Sequence, residues 1–365
     1  MSGKPRIDQL TGGYAAGDAI SQEARLMRAM LRAGGFDSDI YASGAHIAPE
    51  SRGDALPYEA FDPAVPEAVI FHVSTASAAS ALFSAVRGRR VVRYHNITPA
   101  SFFEGFDDAV AAELRQARAQ LAPVVRLADA CWSDSAYNAG EIEAAGAVRS
   151  VVLPLFFSED EFACGDDPAL QAAFGDTLCN WLFVGRIVPN KRVEELILAF
   201  AWYHRCINPA SRLLIAGSEA SCPPYYAMLR LLAARLGLMN VCFTGFVSPA
   251  GRHTLYRCAD VFVTASRHEG FCLPLVEAMA CGVPVVARDE GGMPEALGEG
   301  GVRFEGLDAR ELALLVARVA GRAAPLCGQV LAAQSRRIDA LRRRDAQAEF
   351  MEQVRQVLAM ERKAV

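Results

Sequence analysis

Residues Ala259–Leu297 read ADVFVTASRHEGFCLPLVEAMACGVPVVARDEGGMPEAL, a run in which two apolar strands alternate with two short helices. The first strand, Val261-Phe262-Val263-Thr264, breaks into the polar loop Ser266-Arg267-His268-Glu269-Gly270. A helix follows from about Pro274, whose missing N–H costs nothing in a first turn where donors lack helical partners. Gly282, suited to a left-handed cap, and Pro284 end it. A second apolar strand, Val283 to Ala287, leads to Gly291-Gly292 and a new helix start at Pro294. Strand, loop, helix N-terminus, strand is the crevice-forming unit of a parallel α/β sheet. Ligands there lie beyond the carboxyl ends of the strands, where helix N-termini offer free N–H groups to anions.

Two carboxylates bracket the unit, Glu269 in the loop and Glu277 about one turn into the helix. A carboxylate offers only acceptors, so such a pair suits the paired hydroxyls of a sugar or ribose. Taken alone they favour a plainer reading, with Glu269 as loop surface and Glu277 as a complement to the helix dipole.

The longer run shifts that balance. Glu269-Gly270-Phe271-Cys272-Leu273-Pro274-Leu275-Val276-Glu277 resembles the E-x7-E element of retaining glycosyltransferases with two Rossmann-like domains, the GT-B fold. It is especially similar to glycosyltransferase family 4 (group 1), and Tyr94-His95-Asn96-Ile97-Thr98-Pro99, earlier in the chain, resembles members of the bacterial polysaccharide-assembly type. Ala278 to Val286 and Gly291-Gly292-Met293-Pro294-Glu295 extend the match.

At 365 residues the chain suits two domains of ordinary size, and 52% apolar with 22% charged residues is a globular composition. A formal net charge of −5 leaves no basic excess for neutralising phosphates, which argues against a nucleic-acid binder. The first residues lack the apolar core of a signal peptide, and no uncharged apolar run is long enough to span a bilayer. A cytoplasmic protein is expected. Ten scattered cysteines with no C-x-x-C pair read as reduced, mostly buried thiols. His268-Glu269 begins like a zinc-protease motif, but Cys272 stands where its second histidine would be, so no metal is expected.

Earlier in the chain, a strand near Ile7 to Leu10 runs into Thr11-Gly12-Gly13-Tyr14-Ala15-Ala16-Gly17-Asp18 and a long helix ending at Gly34-Gly35. The glycine spacing is not G-x-G-x-x-G, which discounts a nicotinamide-dependent dehydrogenase; tight chain reversal explains the glycines equally well. A basic run, Arg87, Arg89, Arg90 and Arg93, reads as a solvated face, with contact to an acidic acceptor or an inner membrane leaflet left open. The strand Val91-Val92-Arg93-Tyr94 delivers His95-Asn96-Ile97-Thr98-Pro99 at its carboxyl end. A lone histidine is usually structural, but this placement makes His95 a candidate. Strands at 130–133 and 150–156 close the first half, and the acidic segment Ser158 to Asp176 reads as a linker. The second half restarts with the strand Asn180 to Val184 and Gly185-Arg186-Ile187-Val188-Pro189-Asn190-Lys191-Arg192, with Arg186 and Lys191 flanking one strand-end loop.

The resemblance implies a division of labour. Residues 1–160 would form an acceptor domain, 177–340 a nucleotide-sugar donor domain, and 341–365 a final helix crossing back to the first. Arg186 and Lys191, in the family's G-R-x-x-x-x-K pattern, would hold the diphosphate and stabilise it as it leaves. Glu277 would bind ribose, and Glu269 with the backbone N–H groups of Gly270, Phe271, Cys272 and Leu273 would orient the donor sugar. The turn at Phe246-Val247 would touch the base, the loop of Gly12, Gly13 and Gly17 would approach the phosphates, and His95 would contact the sugar. Asp18 and Asn96 are weaker candidates. The implied reaction is transfer of a hexose from a GDP- or UDP-linked donor to a hydroxyl, on a lipid-linked or growing glycan, without metal or cofactor. A non-catalytic sugar-nucleotide-binding partner and a sugar-nucleotide epimerase on the same fold remain the alternatives.

Overall fold

The computed structural model describes residues 4–15, 17–147, 149–157, 165–321 and 323–360, and the chain forms two compact units. Unit 1 holds the described residues through Ser101, Ala109–Phe156 and those from Asp345; unit 2 holds Phe102–Asp108 and the described residues of Phe157–Arg344. The short piece Phe102–Asp108 thus leaves its sequence neighbours, and Phe106 packs edge-on against Tyr225 at 5.3 Å.

Unit 1 alternates strand and helix. Its strands are β1 (Ile7–Thr11), β2 (Ile40–Ala42), β3 (Leu56–Pro57), β4 (Ala68–Val73), β5 (Arg89–Tyr94), β6 (Ala130–Ser133) and β7 (Ser150–Val152). Its helices include α1 (Ala19–Ala33), α2 (Ala79–Ala85), α3 (Asp108–Leu127) and α4 (Ala136–Ala144). The seven-stranded sheet runs β3-β2-β1-β4-β5-β6-β7, every pairing parallel, so strand order reverses between β1 and β4. Both of those strands are buried along their whole length, as a parallel sheet covered on both faces requires. Asp18 caps α1, its carboxylate accepting from the Ser21 N–H at 2.8 Å, so this weaker candidate has a structural role.

Unit 2 contains α5 (Pro168–Phe174), β8 (Cys179–Val184), α6 (Val193–Cys206), β9 (Ser211–Ala216), α7 (Pro223–Arg235), β10 (Val241–Gly245) and α8 (Pro249–Cys258). It continues through β11 (Val261–Thr264), α9 (Leu273–Ala280), β12 (Val285–Arg288), α10 (Met293–Leu297), β13 (Val302–Phe304), α11 (Ala309–Ala317) and α12 (Cys327–Arg342). The six-stranded parallel sheet runs β10-β9-β8-β11-β12-β13, reversing between β8 and β11. Residues 158–164 of the expected linker lie outside the described residues. The remainder corrects that expectation: Asp167 caps α5, and the Asp167 N–H donates to Thr254 of α8 at 2.8 Å, which builds the segment into unit 2.

The chain then turns back to unit 1 with α13 (Ala346–Ala359). Phe350, fully buried, meets Trp132 and Phe156 edge-on at 5.8 Å each, and Val354 and Val357 join Met27 and Leu31 of α1 in one apolar cluster. Among the described residues no helix is long and apolar enough to cross a membrane.

Candidate functional site

In unit 2 the reversal of strand order lies between β8 and β11, the position at which an open parallel sheet binds ligands beyond the carboxyl ends of its strands. Lys191 comes from the loop after β8 and Glu269 from the loop after β11; Lys191 Nζ lies 2.5 Å from Glu269 Oε1, with the side chains only 15% and 11% exposed. Asn190 ties the two loops together: its Nδ2 donates to the His268 carbonyl at 3.0 Å, and its own carbonyl accepts from the Arg267 N–H at 2.9 Å. Asn190 is buried, and nothing in a lone loop asparagine announces this bridging role.

Glycines bring the backbones close enough for that arrangement. A Cβ on Gly217, at the end of β9, would sit 1.9 Å from the Gly185 carbonyl oxygen at the end of β8. Gly291 has φ +64°, and a Cβ there would fall 2.7 Å from the Glu269 carbonyl oxygen, which also accepts the Gly292 N–H at 2.8 Å. The Gly291-Gly292 turn is therefore a buttress under Glu269.

The remaining unit 2 candidates occupy four settings. Arg186, in the loop after β8, is exposed, and among the described residues its guanidinium has no ion-pair partner. Glu277, on α9, is 2% exposed: its Oε2 accepts from the Tyr256 hydroxyl at 2.7 Å, and Arg252 lies 3.4 Å from Oε1. Burial, then the Glu277 carboxylate, holds the Tyr256 phenol well above its ordinary range. Tyr256 and Arg252 carry no local motif and were missed by the sequence reading. Gly270, Phe271, Cys272 and Leu273 form the entry to α9, with Cys272 left-handed at φ +74°. The N–H groups of Phe271 and Cys272 meet no backbone acceptor among the described residues. Burial, then Glu269, pushes the Cys272 thiol well above the usual range, which keeps it a protonated hydrogen-bond donor. Val247 follows β10 half-buried, whereas its neighbour Phe246 is 67% exposed and anchors nothing.

In unit 1, Gly12, Gly13 and Gly17 form the turn after β1, and only Gly17 has a positive φ, +78°. His95 follows β5 with its side chain 3% exposed and both ring nitrogens engaged. Nε2 lies 2.8 Å from His72 Nδ1, and Nδ1 lies 3.2 Å from Asp134 Oδ2. Burial, then His95 and Arg93, holds the His72 ring well below the ordinary histidine range. Asn96, with φ +81°, donates to Asn138 Oδ1 at 2.7 Å.

Arg93 corrects the basic-face reading. It is fully buried, donates to Glu23 Oε1 at 2.6 Å and to the Leu153 carbonyl at 2.6 Å, and lies 2.9 Å from Asp134 Oδ1. Only Arg87 of the run is fully exposed; Arg89 and Arg90 are half-buried strand residues. Glu23, His72 and His95 converge closely enough to suggest metal ligands. However, Arg93 already occupies Glu23 and the two rings share a hydrogen bond, so these groups form a self-satisfied polar network. Polar residues inside three neighbouring central strands (Gln9, His72 and Arg93) were the sequence signal for it.

The comparisons with known proteins agree with this architecture. Residues 178–320 match the family model described as glycosyl transferases group 1. A D-inositol 3-phosphate glycosyltransferase of Geodermatophilus obscurus is 34% identical over 186 residues, covering 48% of this chain and 41% of that protein. The protein of the same name from Mycolicibacterium smegmatis is 36% identical over 172 residues, covering 45% and 38%. The chain therefore spans less than half the length of these curated relatives. Among solved structures, sucrose-phosphate synthase from Thermosynechococcus elongatus superposes with TM-score 0.73 at 19% identity, covering 97% of this chain and 99% of that one. Anabaena HepE, solved with UDP and glucose, gives TM-score 0.71 at 18% identity with the same coverage. These likenesses establish the fold as GT-B, and within it residues 178–320 are similar to the group 1 glycosyl transferases.

Proposed function

We propose that this chain is a hexosyltransferase that moves a sugar from a nucleoside-diphosphate donor to a hydroxyl acceptor, with retention at the anomeric carbon. The observation that carries the reading is the Lys191–Glu269 pair at the point where strand order reverses, with the exposed cation Arg186 on the same loop as Lys191. A fixed cation there offsets charge developing on a departing diphosphate without reorganisation during the reaction. Arg186 and Lys191 are assigned to the diphosphate. Glu269 and the backbone N–H groups of Gly270, Phe271, Cys272 and Leu273 are assigned to the donor sugar, Glu277 to ribose, and the turn at Val247 to the base. Gly12, Gly13 and Gly17 are assigned to a phosphate-approaching turn. His95 is the unit 1 candidate for the same chemistry. No covalent nucleophile is assigned: the leaving phosphate oxygen takes the acceptor proton as the hydroxyl attacks from the same face.

The donor is UDP- or GDP-linked. The acceptor is either a phosphorylated polyol, as the relatives' names suggest, or a lipid-linked glycan of cell-surface polysaccharide assembly. The test incubates the full chain with UDP-glucose, GDP-mannose and their congeners, with an inositol phosphate or extracted lipid-linked glycan, in the presence and absence of chelator. The expected result is chelator-insensitive transfer giving an anomeric configuration that matches the donor's. Nucleotide binding without transfer or hydrolysis on any donor would overturn the reading in favour of a non-catalytic binding partner.

A further inference from the structure

The buried histidines of unit 1 can be assigned their protons by counting hydrogen bonds. Gln9 Nε2 donates to the Ala24 carbonyl at 3.0 Å, which turns Gln9 Oε1 toward His72 Nε2, 2.9 Å away. An amide oxygen only accepts, so His72 Nε2 must carry a proton. At the other end His95 Nδ1 faces a carboxylate oxygen of Asp134 at 3.2 Å and must carry one as well. The 2.8 Å bond between His72 Nδ1 and His95 Nε2 requires a third. Two neutral imidazoles hold only two protons.

We propose that His72 and His95 form one monocationic unit, and that His72 is a positioning residue that fixes the ring plane and proton inventory of His95. The surrounding charges balance this assignment. Glu23 from α1 and Asp134 after β6 supply two carboxylates, and Arg93 of β5 supplies one guanidinium, all 3% exposed or less at the side chain. The imidazole pair supplies the missing positive charge. The charge lies on the His95 ring, which has Asp134 at 3.2 Å and Glu23 at 3.5 Å, whereas the outer partner of His72 is a neutral amide. Placing the proton on Asp134 instead would set a neutral acid against the Arg93 guanidinium at 2.9 Å. With three protons shared along one line from Gln9 to Asp134, neither ring can flip or change tautomer without breaking a buried hydrogen bond. The proton assignment stands on geometry alone; only its catalytic consequence rests on the proposed function.

The test uses the full chain labelled with 15N in histidine, with resonances assigned through His72→Gln and His95→Gln. At pH 7, three protonated nitrogens and one bare nitrogen are expected across the pair, the bare one being His72 Nδ1. The glutamine of His72→Gln still supplies an acceptor toward His95, so both His95 N–H signals should persist there, while in His72→Leu they should broaden or exchange. In transfer assays His72→Leu should lower kcat about tenfold with donor KM within about twofold, and His72→Gln should recover most of it, as removal of a single orienting hydrogen bond implies. Two bare nitrogens at pH 7, or sharp His95 signals in His72→Leu, would overturn the proposal. Three protonated nitrogens in a chain that transfers no sugar would sustain the proton assignment and remove the hexosyltransferase reading instead.

Discussion

Replacing Lys191 by methionine leaves the Glu269 carboxylate nearly buried with its cation gone. Because the two side chains are 15% and 11% exposed, this differs from cutting a surface ion pair. Loss of the partner should cost about 1–3 kcal/mol of stability by urea denaturation, and kcat/KM for donor should drop by roughly 10²-fold or more. Gly217→Ala is expected to fail for a different reason. The new methyl would lie 1.9 Å from a backbone oxygen of Gly185, an atom no rotamer can move aside, so the chain should lose about 2 kcal/mol or more and bind nucleotide poorly in a thermal-shift assay. His72 contributes to the loss of stability in acid. In the unfolded chain it takes a proton near its ordinary 6.5, whereas burial keeps the folded ring neutral well below that. The unfolded state therefore binds the extra proton as pH falls, so this contribution is intact above about pH 6.5 and declines beneath it by up to about 1.4 kcal/mol per pH unit. Acidification from pH 7.5 to 5.5 should therefore lower the urea midpoint of the wild type relative to that of His72→Gln.

Elements impose their own requirements. Helix α13 lies at the far end of the chain from β1, yet Phe350 fills the centre of the unit 1 cluster against Trp132 and Phe156. Truncation to alanine removes a fully buried aromatic ring, and about 3–5 kcal/mol of unit 1 stability should go with it, read as a lowered denaturation midpoint. In unit 2 the entry to α9 depends on a strand end, a left-handed residue and a glycine buttress acting together. Val261–Thr264 was readable as a strand from its apolar run, and α9 from its proline and terminal glycine. The support that Gly291 gives to Glu269 was not readable, because twenty-odd residues of chain separate them and only the pairing of β11 with β12 brings them together.

At the scale of the whole molecule, each unit has its own parallel sheet and buried core. A ligand that binds only the folded form of one unit stabilises that unit by mass action, about 2.7 kcal/mol at a hundredfold excess over Kd. Calorimetry with UDP or GDP should therefore raise the unfolding transition of unit 2 more than that of unit 1. A Phe350→Ala variant, with its unit 1 transition lowered, makes the two transitions easy to assign.

The parallel α/β character of both units followed from local information, since alternating apolar strands and capped helices with short turns leave parallel crossover pairing as the ready solution. The carboxylate spacing from Glu269 to Glu277 and the cations Arg186 and Lys191 were also visible in the chain. Which side chains meet was decided elsewhere. Lys191 and Glu269 are 78 positions apart and touch because β8 and β11 are neighbours in the sheet. Arg93 read as surface charge because its partners, Glu23 and Asp134, lie on other elements, and a charge is buried or solvated according to whether such partners arrive. Periodicity along a chain records which face of an element is apolar; strand order in a sheet determines whose polar groups share that interior.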